Sequence, residues 1–241
     1  MLLYSDSSQS YALGFQDPAS NYMIAMIDLH DQIMFYLIII FTLVSWTLIS
    51  AFKMRSIDHL RYLSHGNLIE VLWTVTPAII LWMIGLPSLK LLYMMDEILD
   101  PEITVKAIAA QWYWQYSYGD YNSTNEGITI DSFMIAEDDL EEGDLRRLTV
   151  DNMLVLPINT SIRVIVSSFD VIHAFAVPSL GVKVDATPGR LNSVGFVINR
   201  PTTLYGQCSE LCGVLHSSMP IAINAVSLPS YLQFLQTNLA E

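Results

Sequence analysis

Both cysteines of this 241-residue chain lie in one stretch, Gln207–Pro220 (QCSELCGVLHSSMP), together with a histidine and a methionine. Cys208, Cys212, His216 and Met219 offer two thiolates, an imidazole and a thioether, soft and borderline donors that suit copper better than magnesium or calcium. A copper site of this kind takes one more histidine from elsewhere, and His173 in DVIHAF is the best candidate. A one-copper blue site needs a single Cys, whereas two cysteines with three residues between them, followed by His and Met, can hold two ions through bridging thiolates. The spacing favours two coppers over one. Three other readings compete for the same residues: tetrahedral zinc on two Cys and two His, a Cys208–Cys212 disulfide in an oxidising compartment, and a buried thiol pair acting as small hydrophobes. Zinc would give Met219 no task, and its structural sites usually rest on CxxC pairs, so CxxxCxxxHxxM suits it poorly.

The elements that must carry these residues divide into an apolar and an acidic part. The chain is 52% hydrophobic yet has a formal net charge of −13, so the two properties must be segregated. Two uncharged runs, Met34–Phe52 and Val71–Leu89, are 19 residues each. As helices each would reach about 28 Å, close to the hydrocarbon core of a bilayer. Neither shows a polar stripe, which favours membrane spans over core helices. The connector 53–67 carries Lys53, Arg55 and Arg61 against Asp58, while the outer flanks carry Asp28, Asp31, Asp96, Glu97, Asp100 and Glu102. The connector therefore belongs on the positive side, and both termini with everything after Lys90 belong on the outer side. His30 and Asp31 are expected to open the first span, Asp31 complementing the helix dipole. Pro77 and Pro87 should kink the second span. Glu70 at its mouth reads from position as an interfacial charge, with a role in proton or ion passage as the alternative. Residues 1–27 lack the basic and apolar regions of a secretory signal.

From Ile103 the pattern changes to short β-rich runs: ITVKAIAAQWYWQYSY, GITIDSFMI, LTVDNMLVLP, SIRVIVSS, HAFAVP, NSVGFVIN and MPIAINAV. These predict an antiparallel sandwich or barrel, closed by a helix over 229–239. Within QWYWQYSY, alternation would put Trp112 and Trp114 on one face, which pattern alone assigns to the core. From Leu91 onward 18 Asp and Glu stand against 7 Lys and Arg, densest in Glu137–Asp144. Such a field speeds encounter with a basic protein and disfavours nucleic acid.

The sequence resembles the mitochondrial type of the cytochrome c oxidase subunit II family. The resemblance runs through LGFQD, LHDQIMFYL, EVLWTVTPAIIL, PSLKLLYMMDE, QWYWQYSY, VLP, DVIHAFAVPSLGVKVDATPGRLN, YGQCSELCG and MPI. It implies an outer segment 1–30, a two-helix transmembrane hairpin 31–95 and, over 96–241, an all-β cupredoxin-like Greek-key domain with a C-terminal helix. It further implies that Cys208 and Cys212 bridge the two coppers of copper A. His173 and His216 would be terminal ligands, Met219 a weak axial ligand, and the Glu210 carbonyl would lie opposite. The Glu210 side chain would reach a magnesium or manganese ion shared with the catalytic subunit I, and haem would be held only by that partner. Trp112 would correspond to the tryptophan where electrons come in, Asp151 and Asp170 to the cytochrome c face, and Glu70 to the entrance of a proton pathway. The implied setting is the mitochondrial inner membrane, in contact with lipid, with both termini and the copper domain in the intermembrane space; a bacterial plasma membrane is the alternative. Ser117, where many members are acidic, and the unusually acidic 137–144 run depart from the family pattern. A copper-free structural subunit of the quinol oxidase kind would lack the ligand set found here, and a nitrous oxide reductase-like domain would leave the two spans unexplained.

Overall fold

The computed structural model describes residues 5–53, 65–96, 100–119 and 127–239. Arg55, Asp58, Arg61 and Glu97, on which the orientation argument partly rests, lie outside the described residues. The chain divides into two units, Ala25–Tyr93 and the remainder, Met1–Ile24 with Met94–Glu241.

The smaller unit is made by two helices, α1 (Asn21–Lys53) and α2 (Asn67–Asp96). Both are long and apolar enough to cross a membrane, and their apolar windows bury nothing within the protein. Phe41, Trp46, Trp73, Leu81 and Trp82 all stand exposed around them. Surfaces apolar on every side suit lipid rather than water. Several of their polar side chains close on backbone carbonyls, which suits a lipid environment. Thr42 donates to Ile38 O, Thr47 to Val44 O and Thr74 to Glu70 O, while Gln32 Nε2 crosses to Met83 O at 3.2 Å. α2 runs through Pro77 and Pro87 without interruption.

The start of α1 differs from the sequence expectation. The helix begins at Asn21, and its cap is Ser20, whose Oγ accepts from Met23 N at 3.1 Å and donates to Leu180 O at 2.6 Å. A hydroxyl satisfying a free amide of the first turn is a sufficient start signal. His30 and Asp31 therefore sit inside the helix, paired with each other at 3.1 Å, and no acidic residue occupies the first turn. Without a charge or breaker between Asn21 and Asp28, nothing ends the helix earlier.

The larger unit packs two sheets around one core. The first has the order β1 (Ser5–Asp6), β10 (Thr202–Gln207), β11 (Pro220–Val226), β5 (Leu154–Pro157). The second has the order β4 (Ile128–Ser132), β3 (Tyr113–Tyr118), β2 (Ile103–Ala110), β6 (Ile162–Ser168), β9 (Asn192–Phe196). A hairpin of β7 (His173–Val177) and β8 (Val182–Ala186) completes the strands, and α3 (Leu228–Leu239) follows β11. Strict alternation in β6 buries Ile162, Val164 and Val166, and these share one core with Leu154, Leu156, Leu204 and Ile223 of the other sheet. Period-two burial is what folds each strand onto that core.

Three strand expectations are corrected. The sheets are mixed rather than antiparallel: β1–β10, β11–β5 and β2–β6 run parallel. The long run 103–118 is a hairpin in which Ala110 pairs with Tyr113 and Gln111–Trp112 form the turn, so Trp112 is outside any strand and does not share a face with buried Trp114. β8 and β10 were not among the predicted runs, since VKVDA and TTLYGQ mix polar and small residues into the pattern. Residues before α1 join this unit: β1 extends β10, Ala19 N donates to Ser179 O, and Asp6 pairs with Arg200.

Candidate metal centre

The ligand loop is the connection of one hairpin. β10 and β11 pair antiparallel with Gln207 opposite Pro220, so residues 208–219 loop out from a closed ladder. β7 passes close beneath β10, and Gly206 makes this possible: a Cβ there would lie 2.0 Å from Ala176 O. Only glycine tolerates such an approach. Ser209 N then donates to Ala174 O at 3.3 Å, which brings the start of the loop onto the start of β7, where His173 stands.

The convergence is tight. Cys208 and Cys212 are buried and free of a disulfide, their Sγ atoms 3.9 Å apart. Cys208 Sγ lies 3.9 Å from His173 Nδ1 and 3.3 Å from Glu210 O. Cys212 Sγ lies 3.5 Å from His216 Nδ1 and 3.6 Å from Met219 Sδ. Ligand atoms of His173, Cys208 and Cys212 all fall within 4.8 Å of one another. Each cysteine thus has its own imidazole and its own weak donor. His173 is wholly buried, whereas His216 is partly exposed. The Glu210 carbonyl turns to Cys208, and the residue as a whole is exposed.

This donor set fits a metal pair. At an ordinary metal–thiolate length of about 2.3 Å, ions on either side can each reach both sulfurs, since the sulfurs are closer than twice that length. Burial pushes the Cys212 thiol up to about 12, with the charge and hydrogen bond of Cys208 and the charge of Asp170 adding to it. The Cys212 thiol thus keeps its proton at neutral pH until a cation compensates the thiolate charge.

Three residues outside the ligand set hold it. Asp170 Oδ1 lies 3.0 Å from His173 Nε2, fixing the ring with Nδ1 toward Cys208. Burial acts to raise the Asp170 pKa, but hydrogen bonds from His173 and from the backbone N–H groups of Val171 and Gln111 outweigh it and hold the carboxyl below its ordinary value. Gln111 Nε2 donates to Cys212 O at 2.8 Å, and Trp114 Nε1 donates to Met219 O at 3.3 Å from beneath the loop. Gln111 and Trp114 were not singled out for the site in the sequence; their adjacency to Trp112 was the available signal.

Trp112 sits beside the same loop, over Gly213, partly exposed. Asp151 belongs to another turn: its Oδ1 accepts from Phe133 N at 2.8 Å and Asn152 N at 2.6 Å, and Phe133 stacks on Tyr113 at 4.5 Å. Glu70 lies in the other unit, where its Oε1 accepts from Gly66 N at 3.3 Å and its own N–H donates to Gly66 O. That reciprocal pair closes the first turn of α2. Arg147 ties the acidic stretch to the metal loop: it lies 3.6 Å from Glu137 and donates to Ser217, next to His216.

Comparison with known proteins matches both units. Residues 103–226 match the family model for the periplasmic domain of cytochrome c oxidase subunit II, and residues 8–91 match that for its transmembrane domain. Cytochrome c oxidase subunit 2 of Pneumocystis carinii is 51% identical over 97% of this chain and 98% of its own length. The subunit 2 of Metridium senile is 53% identical over 95% of this chain and 91% of its own. Among solved structures, the periplasmic domain of subunit II (CoxB) of Bradyrhizobium japonicum is 44% identical and covers 60% of this chain and 98% of its own, with a TM-score of 0.54. With two membrane-length helices, a β-sheet domain and identity of this extent along nearly the whole sequence, the chain belongs to the cytochrome c oxidase subunit II family and is a subunit of that oxidase.

Proposed function

We propose that this chain receives electrons from reduced cytochrome c at a dinuclear copper centre and delivers them to haem a in the catalytic subunit, where oxygen reduction is coupled to proton pumping. The observation that supports it is the pairing of donors: two thiols 3.9 Å apart, each with its own imidazole, and each with one weak donor, Glu210 O or Met219 Sδ. Cys208, Cys212, His173, His216, Met219 and the Glu210 carbonyl would hold the copper pair. Bound there, the copper pair would supply a one-electron relay whose charge change is spread over two ions. The protein contributes rigidity: His173 is the first residue of a fully buried strand, and both ends of the ligand loop are fixed by one ladder. A frame that does not move with charge lowers the cost of each transfer.

Trp112 places an aromatic ring between the outer surface and the Cys212 side of the loop. The acidic run 137–144, tied to the metal loop through Arg147 and Ser217, gives a basic protein a charged surface on the same domain. Exposed Leu211, Val214 and Leu215 on the loop suit burial against a neighbouring subunit. In this reading the Glu210 carboxylate reaches a magnesium or manganese ion shared with subunit I, Asp151 and Asp170 contribute to the cytochrome c face, and Glu70 stands at a proton entrance. The chain would lie in the mitochondrial inner membrane with its copper domain in the intermembrane space.

The test is metal analysis with electron paramagnetic resonance on the full chain, solubilised in detergent and loaded with copper. Two coppers per chain sharing one unpaired electron support the reading. One zinc per chain, or a Cys208–Cys212 disulfide that takes no metal, overturns it. The full chain is needed because β1 and Ala19, which precede the helices, are built into the β domain.

A further inference from the structure

Asp170 and Gln111 join two halves of the metal site that no strand connects. Asp170 Oδ1 meets His173 Nε2 at 3.0 Å, and Oδ2 of the same carboxylate accepts Gln111 N at 2.7 Å. The Gln111 side chain continues to Cys212 O at 2.8 Å. The carboxylate is fixed from its own side as well: Oδ1 accepts Val171 N at 2.6 Å and faces Ser168 Oγ at 3.3 Å, while Asp170 N donates to Ser168 Oγ at 3.2 Å. His173 enters from β7 and Cys212 from the β10–β11 loop, while Gln111 is at the β2–β3 turn. Three separate parts of the fold are thus fastened by one carboxylate and one amide.

We propose that Asp170 and Gln111 act as one positioning strap, holding His173 and the Cys212 end of the loop at the separation a bridged metal pair requires. The inference rests on the copper reading and goes beyond it, because it gives Asp170 an inward task beside its implied place on the partner face. Both ends of the strap are specific. A carboxylate on Nε2 selects the ring orientation that leaves Nδ1 for the metal and makes the imidazole a stronger donor. An amide on the Cys212 carbonyl restrains the loop without using either thiol. Gln111 also adjoins Trp112, so the strap places the half-buried indole relative to the ligands.

The experiment compares Asp170→Asn, Asp170→Ala, Gln111→Ala and the Asp170→Ala/Gln111→Ala double variant, each as the full chain in detergent. In the metal-free proteins, the rates at which Cys208 and Cys212 react with a maleimide are followed by mass spectrometry. The Ala variants are expected to label faster, with the double variant no faster than the faster single one, since a strap cut once is already cut. In the copper-loaded proteins, copper affinity is expected to fall about 10–100-fold for Asp170→Ala. Asp170→Asn preserves shape and removes charge, so it is expected to raise the reduction potential and change the hyperfine pattern, effects that simple loss of fold stability would not produce. Unchanged labelling together with an unchanged spectrum overturns the proposal, as do independent, additive effects in the double variant. If the parent chain takes up no copper pair, the copper reading fails, and the labelling rates of the metal-free proteins still decide the strap.

Discussion

The indole of Trp112 lies against the backbone of Gly213, the residue that follows Cys212: a methyl group built on Gly213 would be 3.2 Å from Trp112 Cζ2 and 3.4 Å from Nε1. Gly213 has φ +125°, where side chains are strained. Gly213→Ala is expected to cost about 1–3 kcal/mol in thermal unfolding and to slow cytochrome c oxidation in the assembled oxidase. Unaltered turnover would show that the contact is incidental.

Trp112 Nε1 is buried and has no hydrogen-bond partner among the described residues. Replacing the indole by a benzene ring therefore removes no bond, and Trp112→Phe should change stability by less than about 1 kcal/mol. The rate of electron acceptance from cytochrome c is expected to fall while its binding is retained. Stopped-flow oxidation of cytochrome c at saturating and limiting concentrations separates the two. Normal rates at saturation would remove Trp112 from the electron path.

Cys208 touches both His173 and the Glu210 carbonyl, and these residues all belong to the larger unit. Cys208→Ser should leave the helices inserted, as judged by carbonate resistance, and abolish cytochrome c oxidation. Normal turnover of that variant would sink the copper assignment.

Gly206 and Gly119 make a matched pair for the fold. A Cβ on Gly206 would fall 2.0 Å from Ala176 O, whereas one on Gly119 meets nothing within 4 Å. Gly206→Ala should destabilise by about 3 kcal/mol or more, and Gly119→Ala should remain within about 0.5 kcal/mol. Equal melting temperatures for the two would refute the close crossing of β10 over β7.

Copper uptake should depend on pH. The Cys212 thiol, pushed up to about 12 by burial and by Cys208, is protonated at neutral pH and must release its proton to become a ligand. A raised thiol pKa puts the proton cost on binding at all pH values below it. Apparent copper affinity should therefore rise about tenfold per pH unit for each proton released. Titrations at pH 6, 7 and 8 with proton release followed in weak buffer check this; pH-independent affinity would contradict it.

The two membrane helices were legible in the sequence because an uncharged run of bilayer length states its environment by itself. The ligand loop was legible for a similar reason: Cys208, Cys212, His216 and Met219 are close in sequence, and soft donors at that density have few other uses. The true start of α1 was overlooked although its cap is local, Ser20 Oγ accepting from Met23 N; the Leu180 carbonyl, 160 residues away, only holds that hydroxyl in place. Parallel pairing of β2 with β6, and the turn that takes Trp112 out of the strand, depend on partners that local alternation does not specify. Asp170 is the sharpest case. By residue type it is one more acidic residue of an acidic domain, and the family resemblance implies for it only a place on the cytochrome c face; the fold, by bringing Gln111 and His173 to its two oxygens, joins it to the ligand set. Residue types decided which chemistry was possible here, because donor softness and hydrophobicity are properties of single side chains. Tertiary structure decided which atoms meet, because hydrogen bonds and close backbone approaches join residues that the chain keeps far apart.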